Sequence, residues 1–205
     1  MGAPARRPLA SRNSRWARRA AAALARSAVT PNQISLVSVA FALAGSAALV
    51  RASPVMLLLA AICVQLRLLC NLLDGMVAIE GGKQSPVGAL YNEFPDRIAD
   101  SLLLVALGYA AGVPWLGWLA ALLAALTAYV RATGGALGLE QDFRGPMAKP
   151  QRMAVLTIAC VAGAAEMQWN GTRYALTIAA ILIAAGSAAT CARRTLAIAR
   201  LLRER

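Results

Sequence analysis

The chain has 205 residues, of which 59% are apolar, and its mean hydropathy is +0.59. Soluble domains contain roughly 45–50% apolar residues, so we expect an integral membrane protein with one membrane domain. The sequence has no histidine, which excludes histidine acid–base chemistry and histidine metal ligands. The net charge of +12 does not indicate nucleic-acid binding, because no basic stretch carries interleaved aromatic residues for base stacking.

The first 28 residues form a basic juxtamembrane segment rich in arginine and alanine. Trp16, Ala20, Ala23 and Leu24 can form an apolar stripe on a helix, with arginines beside it. This pattern is typical of a short amphipathic helix lying on an anionic membrane face. A partly disordered, positive-inside tail is the alternative, and the sequence favours neither.

Six apolar runs then predict an all-α polytopic bundle of six transmembrane helices, in addition to the N-terminal amphipathic helix. Thr30 can cap the first of them, with Pro31 in its first turn. The membrane domain covers 29–197 and a basic C-terminal tail covers 198–205. The predicted spans are about 33–50, 55–79, 86–111, 114–138, 151–168 and 174–192.

Charge asymmetry predicts the orientation of these spans. Of the 21 lysines and arginines, only Arg51 and Arg173 fall in turns on the side opposite the termini. The positive-inside rule then places both termini in the cytoplasm, most simply at a bacterial inner (cytoplasmic) membrane. Gly108 and Gly112 form a small-xxx-small pair, which is weak support for helix packing in a homodimer.

An acidic stretch at 71–100 joins the second predicted span to the third. Its linker, 80–86, is short and rich in helix breakers, so we expect the two flanking helices to form an antiparallel hairpin. Acids at the ends of apolar helices are costly and need a functional reason. The stretch holds five of the nine acidic residues of the chain: Asp74, Glu80, Glu93, Asp96 and Asp100.

Spacing gives the polar residues of this stretch a shared direction. Asn71 and Asp74 are three apart and share a helix face. Asn92, Asp96 and Asp100 are spaced by four and stack on one face of the next helix. Carboxylate and amide oxygens suit magnesium, calcium or manganese, so the hairpin predicts a pocket for a divalent cation.

The same stretch resembles the signature of the CDP-alcohol phosphotransferase (CDP-alcohol phosphatidyltransferase) family, Asp-x2-Asp-Gly-x2-Ala-Arg-x8-Gly-x3-Asp-x3-Asp. The spacing fits throughout. Three identities depart, because Asn71 and Asn92 stand where the family has aspartate and Ile79 stands where it has arginine. Residues 30–35 also look like the start of this family's first membrane helix.

The resemblance implies transfer of the phosphatidyl group of a CDP-alcohol, typically CDP-diacylglycerol, to a small polar alcohol. CMP is released, and the reaction belongs to phospholipid biosynthesis. A divalent metal, magnesium or manganese, would lie between the second and third spans. The implied metal ligands are Asp74, Asp96, Asn71 and Asn92, and the implied catalytic acids are Asp96 and Asp100.

The resemblance also implies a nucleotide site and a basic pocket. Gly75, Ala78 and Gly88 would let the nucleotide approach the backbone, with Lys83 replacing the missing arginine. Basic residues near the acidic stretch would form a phosphate or acceptor pocket: Arg67, Arg131, Arg144, Lys149 and Arg152. As an alternative, each of these cations could be a topology signal or a side chain that snorkels toward the lipid headgroups.

The departures from the signature have an energetic consequence. Two amides in place of carboxylates remove two negative charges, so the sequence favours one metal ion over two. Asp100 shares the face of Asp96, whereas Glu93 is rotated off it by about 100°. Asp100 is therefore the expected compensating ligand or base.

Two alternatives to an active transferase remain open. One is a catalytically impaired relative that binds lipid or nucleotide as a partner subunit, which the two asparagines motivate. The other is an unrelated polytopic transporter or channel whose acids form an ion path. The sequence does not name the acceptor alcohol, and a homodimer is an expectation from the family.

Overall fold

The computed structural model describes residues 14–204, and these contain seven α-helices and no strand. The predicted all-α class is therefore confirmed for the described part of the chain. Residues 1–13 of the predicted basic segment and residue 205 of the tail lie outside it. The helices are α1 (Arg15–Arg26), α2 (Pro31–Arg51), α3 (Pro54–Glu80), α4 (Gly88–Ala110), α5 (Pro114–Ala136), α6 (Lys149–Asn170) and α7 (Tyr174–Arg203).

Four of these helices, α2, α3, α5 and α7, are long and apolar enough to cross a membrane. The helix α4 matches the third predicted span in position but carries Glu93, Asp96, Arg97 and Asp100 in its first half. The helix α6 matches the fifth predicted span. Length and composition thus support four of the six predicted spans.

Local signals set the helix starts as the sequence predicts. The Thr30 hydroxyl oxygen accepts a hydrogen bond from the Gln33 backbone N–H at 3.3 Å, and the Gln33 side chain accepts from the Thr30 N–H at 2.9 Å. This reciprocal arrangement satisfies two backbone donors that would otherwise lack partners. At α3 the Ser53 hydroxyl caps the Met56 N–H at 3.3 Å, and Pro54 begins the helix.

The predicted N-terminal helix forms as α1, but its buried face differs from the predicted stripe. Ala17 and Ala21 are buried and pack with Met76 of α3, whereas Trp16 and Ala23 are exposed. Because alanine side chains are small, α1 can approach α3 closely, and the face of α1 that carries Ala17 and Ala21 is the one that packs. Trp16 and Ala23 of the predicted apolar stripe are left exposed, and the contact of this stripe with the membrane face stays a prediction.

The helices α3 and α4 follow each other across the short linker, but their backbones do not pack closely together. Instead α2 packs against both of them, α4 packs on α5, α5 on α7, and α3 on α6. Long polar side chains reach across the space between α3 and α4 (described below). The core around them is apolar and includes Leu57, Leu103, Leu156 and Ile183.

The glycine pair expected to support a dimer is not a pair in the structure. Because α4 ends at Ala110, Gly112 leaves its face and lies in the turn with φ +74°. Gly108 packs instead on Gly117 of α5, where an added Cβ would lie 2.8 Å from the Gly108 Cα. Gly108 is thus used within the chain, and the dimer loses this support.

The last helix is longer than predicted, because α7 continues to Arg203 rather than ending near residue 192. Arg194 is buried on this extension and donates to the Thr127 carbonyl at 2.7 Å and the Arg144 carbonyl at 2.9 Å. Part of the basic C-terminal region therefore connects α7 to the loop 137–148 and to the second half of α5.

The close contact of α4 and α5 predicts a strong effect of Gly117→Ala. The new methyl group would meet backbone atoms at 2.8 Å, so the helices must separate. We expect a loss of about 1–3 kcal/mol in the free energy of unfolding. Thermal unfolding in detergent would measure it.

Gly135→Ala in the same helix is the matched control. Its Cβ would meet only the Gln141 side chain, at 3.4 Å. Gly135 lies in the last turn of α5, so alanine there should change the free energy of unfolding by less than about 1 kcal/mol. Equal midpoints for the two variants would contradict the packing described here.

Candidate active site

Three charged side chains meet in the apolar bundle and form what we call the ion-pair network: Arg67, Asp100 and Arg152. Arg67 on α3 donates through Nη2 to Asp100 Oδ1 at 2.6 Å, and Arg152 on α6 donates through Nη2 to Asp100 Oδ2 at 2.9 Å. All three side chains are at most 2% exposed. Burying a single ion costs several kcal/mol, so these charges are tolerable only together.

The ion-pair network is anchored to the surrounding elements. Arg152 Nη1 also donates to the Met147 carbonyl at 2.9 Å, and Arg67 Nη1 lies 3.1 Å from the Met153 sulfur. The loop before α6 is thereby connected to α3 and α4. Asp100, the expected compensating ligand, has both oxygens engaged by arginine.

Asp96 lies one helical turn nearer the start of α4 and is 13% exposed. Asn71 donates through Nδ2 to its Oδ1 at 2.7 Å, and Lys149 donates through Nζ to its Oδ2. Arg67 Nη2 lies 3.4 Å from the same Oδ1. Asp96 is therefore a partly accessible carboxylate surrounded by donors.

Asp74 is the second motif carboxylate in this space. It is buried, and the Ser35 hydroxyl of α2 donates to its Oδ2 at 2.7 Å. Its Oδ1 is buried and has no hydrogen-bond partner among the described residues. A buried carboxylate oxygen without a partner is a suitable ligand for a hard divalent cation.

The two carboxylates therefore differ in whether an oxygen is available to ligate a metal. Asp74 has an oxygen to offer, whereas both oxygens of Asp96 already accept hydrogen bonds. Asn92 is exposed one turn before Asp96, and its side chain makes no hydrogen bond within the described residues. No group of three acidic or cysteine side chains able to hold a metal occurs in residues 14–204.

The other predicted nucleotide-site residues divide into two groups. Gly75 and Ala78 lie partly buried on α3 just after Asp74, and Gly88 begins α4 with only Ser85 near an added Cβ. Lys83 instead donates to the carbonyls of Ser27 at 2.5 Å and Val29 at 3.1 Å. These contacts hold Lys83 at the end of α1, so its replacement of the missing arginine has no geometric support.

The remaining cations of the predicted basic pocket are also paired. Arg131 donates to Glu93 and to Gln141, each at 2.5 Å, and lies over the Phe143 ring. Arg144 is 82% exposed and its Nε lies 3.0 Å from Asp142 Oδ1. Neither residue touches Asp74 or Asp96.

Asp142 lies in the loop before α6, outside the helices. Burial raises its pKa, but the hydrogen bonds and charge of Arg144 outweigh this and hold the pKa below the usual range. Asp142 is thus a carboxylate at neutral pH, and it partly neutralises the outer side of the basic pocket.

Two residues of the site are absent from the sequence-based predictions. Arg97 is 26% exposed, and its Nη2 lies 3.7 Å from Asp96 Oδ2. Its position in the sequence between Asp96 and Asp100 could have identified it as a site residue. Ser35 had no such signal, because its contact with Asp74 joins residues that are distant in the chain.

Comparison with known proteins agrees with this geometry. Residues 28–191 match the family model described as CDP-alcohol phosphatidyltransferase. The match covers most of the chain, so this protein belongs to the CDP-alcohol phosphatidyltransferase family, whose members are CDP-alcohol phosphotransferases. Membership excludes the alternative of an unrelated transporter or channel.

Two relatives are similar over most of their length. The chain is 39% identical over 140 residues to archaetidylinositol phosphate synthase of Aeropyrum pernix, covering 67% of this chain and 70% of that protein. It is 31% identical over 160 residues to inner membrane protein YnbA of Escherichia coli, covering 76% and 79%. These relatives and the apolar helices identify an integral membrane protein.

Solved structures share the fold. Phosphatidylinositol phosphate synthase of Mycobacterium tuberculosis with CDP-DAG bound gives a TM-score of 0.74 at 22% identity, covering 90% of this chain and 94% of that one. The structure of the same enzyme with manganese and citrate gives 0.74 at 24% identity, covering 89% and 88%.

The ion-pair network predicts that Asp100→Ala is strongly destabilising. It would leave Arg67 and Arg152 buried without a counterion, a loss of about 3–5 kcal/mol. Thermal unfolding of the purified protein would measure the loss.

Arg144→Ala is the control, because it breaks an ion pair whose arginine is exposed. Water screens such pairs, so the loss should be much smaller. If Asp100→Ala unfolded at the same temperature as Arg144→Ala, the ion-pair network would not be holding the helices together.

Proposed function

We propose that this protein transfers the phosphatidyl group of a CDP-alcohol, CDP-diacylglycerol, to a small polar alcohol and releases CMP. The observation that carries the proposal is the hydrogen bond from the motif residue Asn71 of α3 to the motif residue Asp96 of α4. The third motif residue, Asp74, lies one turn further along α3 and is bound by Ser35 of α2. They belong to a chain of the transferase family that retains the spacing of its signature.

We further propose that α2–α7 cross the membrane, with α1 on the cytoplasmic face. The helices α4 and α6 can do so despite their charges, because Asp100 and Arg152 neutralise each other inside the bundle. Both termini and the acidic stretch then face the cytoplasm, where CDP-alcohols and soluble acceptors are available. An inner-membrane location is supported by the similarity to the Escherichia coli protein.

A divalent ion, magnesium or manganese, fits beside Asp74, with amide oxygens of Asn71 or Asn92 as further ligands. When bound, it would neutralise charge on the pyrophosphate and stabilise the leaving phosphate. The similarity to a structure solved with manganese supports this assignment.

Asp96 is the proposed general base. The acceptor hydroxyl gives its proton to Asp96 while its oxygen forms a bond to the lipid-side phosphorus. The bond from that phosphorus to the bridging oxygen breaks, and CMP leaves with the bonding electron pair. Lys149 and Asn71 donate to the two oxygens of Asp96 and hold its carboxylate in place.

Asp100 takes a different role from the one expected from the sequence. Both of its oxygens are held by buried arginines, so we assign it to positioning. It holds Arg67, whose Nη2 also lies 3.4 Å from Asp96. Asp100 therefore orients the base through Arg67 without touching substrate.

The proposed acceptor is an alcohol that carries a phosphate. Arg97 and Arg144 are the most exposed of the cations named in this region, and they are suited to a phosphate at the mouth of the site. The similarity to archaetidylinositol phosphate synthase of Aeropyrum pernix supports this class. A homodimer remains a prediction from the family.

The catalytically impaired relative is kept as the second candidate, because both Asp96 oxygens already have partners and two motif positions are asparagine. Such a protein would bind nucleotide or lipid without turnover. Its test is the same assay as for the transferase.

Asp96→Asn should lower kcat for CMP release from CDP-diacylglycerol by about 10²–10⁴, the usual contribution of a general base. The assay uses purified protein, manganese or magnesium, and a panel of phosphorylated and neutral alcohols.

Glu140→Gln is the control, since it removes one carboxylate that is exposed in the loop after α5. It should leave kcat unchanged. No release by the unaltered protein with any acceptor and metal, together with retained nucleotide binding, would favour the impaired relative.

Arg97→Gln should raise the KM for a phosphorylated acceptor by about tenfold, the lower range for a charge-assisted contact at a partly exposed site. The kcat should change little, because a contact made equally in ground and transition states affects KM alone.

Arg193→Gln makes the same change at an exposed position of α7 and should leave KM unaltered. A KM effect of Arg97→Gln that is equal for neutral and phosphorylated alcohols would argue against a phosphate contact.

A further inference from the structure

We propose that the Lys149 ammonium is a built-in counterion of Asp96 that takes the place of a second divalent cation, so that the site binds one divalent cation, on Asp74. The inference rests on the proposed function, because it concerns the metal of that same site. Its experiment is nevertheless independent of turnover.

The first support is the occupation of Asp96. A cation approaching its Oδ2 would have to displace the Lys149 ammonium, and one approaching Oδ1 would have to displace the amide of Asn71. Arg67 lies 3.4 Å from Oδ1, and Arg97 3.7 Å from Oδ2. The space around Asp96 is therefore already positive.

The second support is the orientation of Asn71. Its Nδ2 group points at Asp96, at 2.7 Å. An amide that bridged to Asp96 through a shared cation would instead present its oxygen, because only oxygen ligates a hard cation. Asn71 thus donates to Asp96 through its amide nitrogen.

The third support is the charge of the site. Four cations, Arg67, Arg97, Lys149 and Arg152, face three carboxylates, Asp74, Asp96 and Asp100. One divalent cation cancels the two negative charges of a CDP-alcohol pyrophosphate. A second divalent cation would add two positive charges that nothing in this cluster compensates.

Asp74 differs from Asp96 in having an open ligand position. Ser35 occupies its Oδ2, while its Oδ1 is buried and has no hydrogen-bond partner among the described residues. This oxygen is the one place in the cluster where a hard cation gains a carboxylate without displacing a donor.

The experiment counts bound Mn²⁺ per chain by electron paramagnetic resonance of the free ion, with the full-length protein purified in detergent. The unaltered protein should bind one Mn²⁺, and Asp74→Asn should bind none at the same concentrations. The combined variant N71D/N92D/K149M should bind two. Two Mn²⁺ on the unaltered protein would overturn the proposal.

The matched control is N71D/N92D/R144M, which removes the same charge from an exposed residue of the neighbouring loop and keeps Lys149. It should still bind one Mn²⁺. If it bound two, the added carboxylates alone would suffice, and Lys149 would not be the counterion that excludes the second cation.

A single substitution keeps the test decisive if the combined variant does not fold. Lys149→Met should tighten Mn²⁺ binding by about tenfold, because it removes one positive charge beside the cation. Arg144→Met should not. Equal Mn²⁺ affinity in Lys149→Met and the unaltered protein would overturn the proposal.

The two proposals fail separately. One Mn²⁺ per chain without CMP release would contradict the proposed transferase function and support the role of Lys149 as counterion. CMP release with two Mn²⁺ per chain would support the transferase function and overturn the role of Lys149.

Discussion

The position of Asp100 between two buried arginines is the constraint on which the rest of the structure depends. Each of the three charges is stabilised only while α3, α4 and α6 keep their places, because a shift of any helix leaves an ion without its partner in an apolar core. The network therefore fixes the three helices that carry the motif residues and the Lys149 ammonium. It does so where α3 and α4 do not pack directly on each other.

Successive turns of α4 carry acidic residues that differ in exposure and in their partners. Asp100 is 2% exposed and binds two arginines. Asp96, one turn nearer the helix start, is 13% exposed and accepts from donors in three directions. Glu93 is 43% exposed and binds Arg131 at the rim of the site. One turn advances about 5.4 Å. A single helix thus passes from a buried ion pair to a partly accessible carboxylate to the solvent, and this gradient is consistent with the proposed role of Asp96 as a base.

The sequence predicted the helices well because their boundaries are local. Capping at Thr30 and Ser53, and prolines in the first turns, act within four residues. The partners of each polar face were not predictable in the same way. Spacing shows that Asp96 and Asp100 share a face, but Lys149 is 53 residues from Asp96 and Arg152 is 52 residues from Asp100. For the same reason Gly108 was assigned to a dimer although Gly117 fills its place, and Asp100 was expected to act as a base.

The structure gives a physical reason for one of the departures from the family signature, the asparagine at position 71. An aspartate at position 71 would put two carboxylates within 2.7 Å of each other unless a cation lay between them, whereas Asn71 donates to Asp96 without one. Lys149 provides the positive charge on the other oxygen. Asn71 and Lys149 therefore act on the same side chain, each donating to one oxygen of Asp96. Removing either donor would leave a carboxylate oxygen without its partner, whereas Asp74 Oδ1 has none among the described residues. This difference between the two carboxylates is what supports the proposal of a single cation on Asp74.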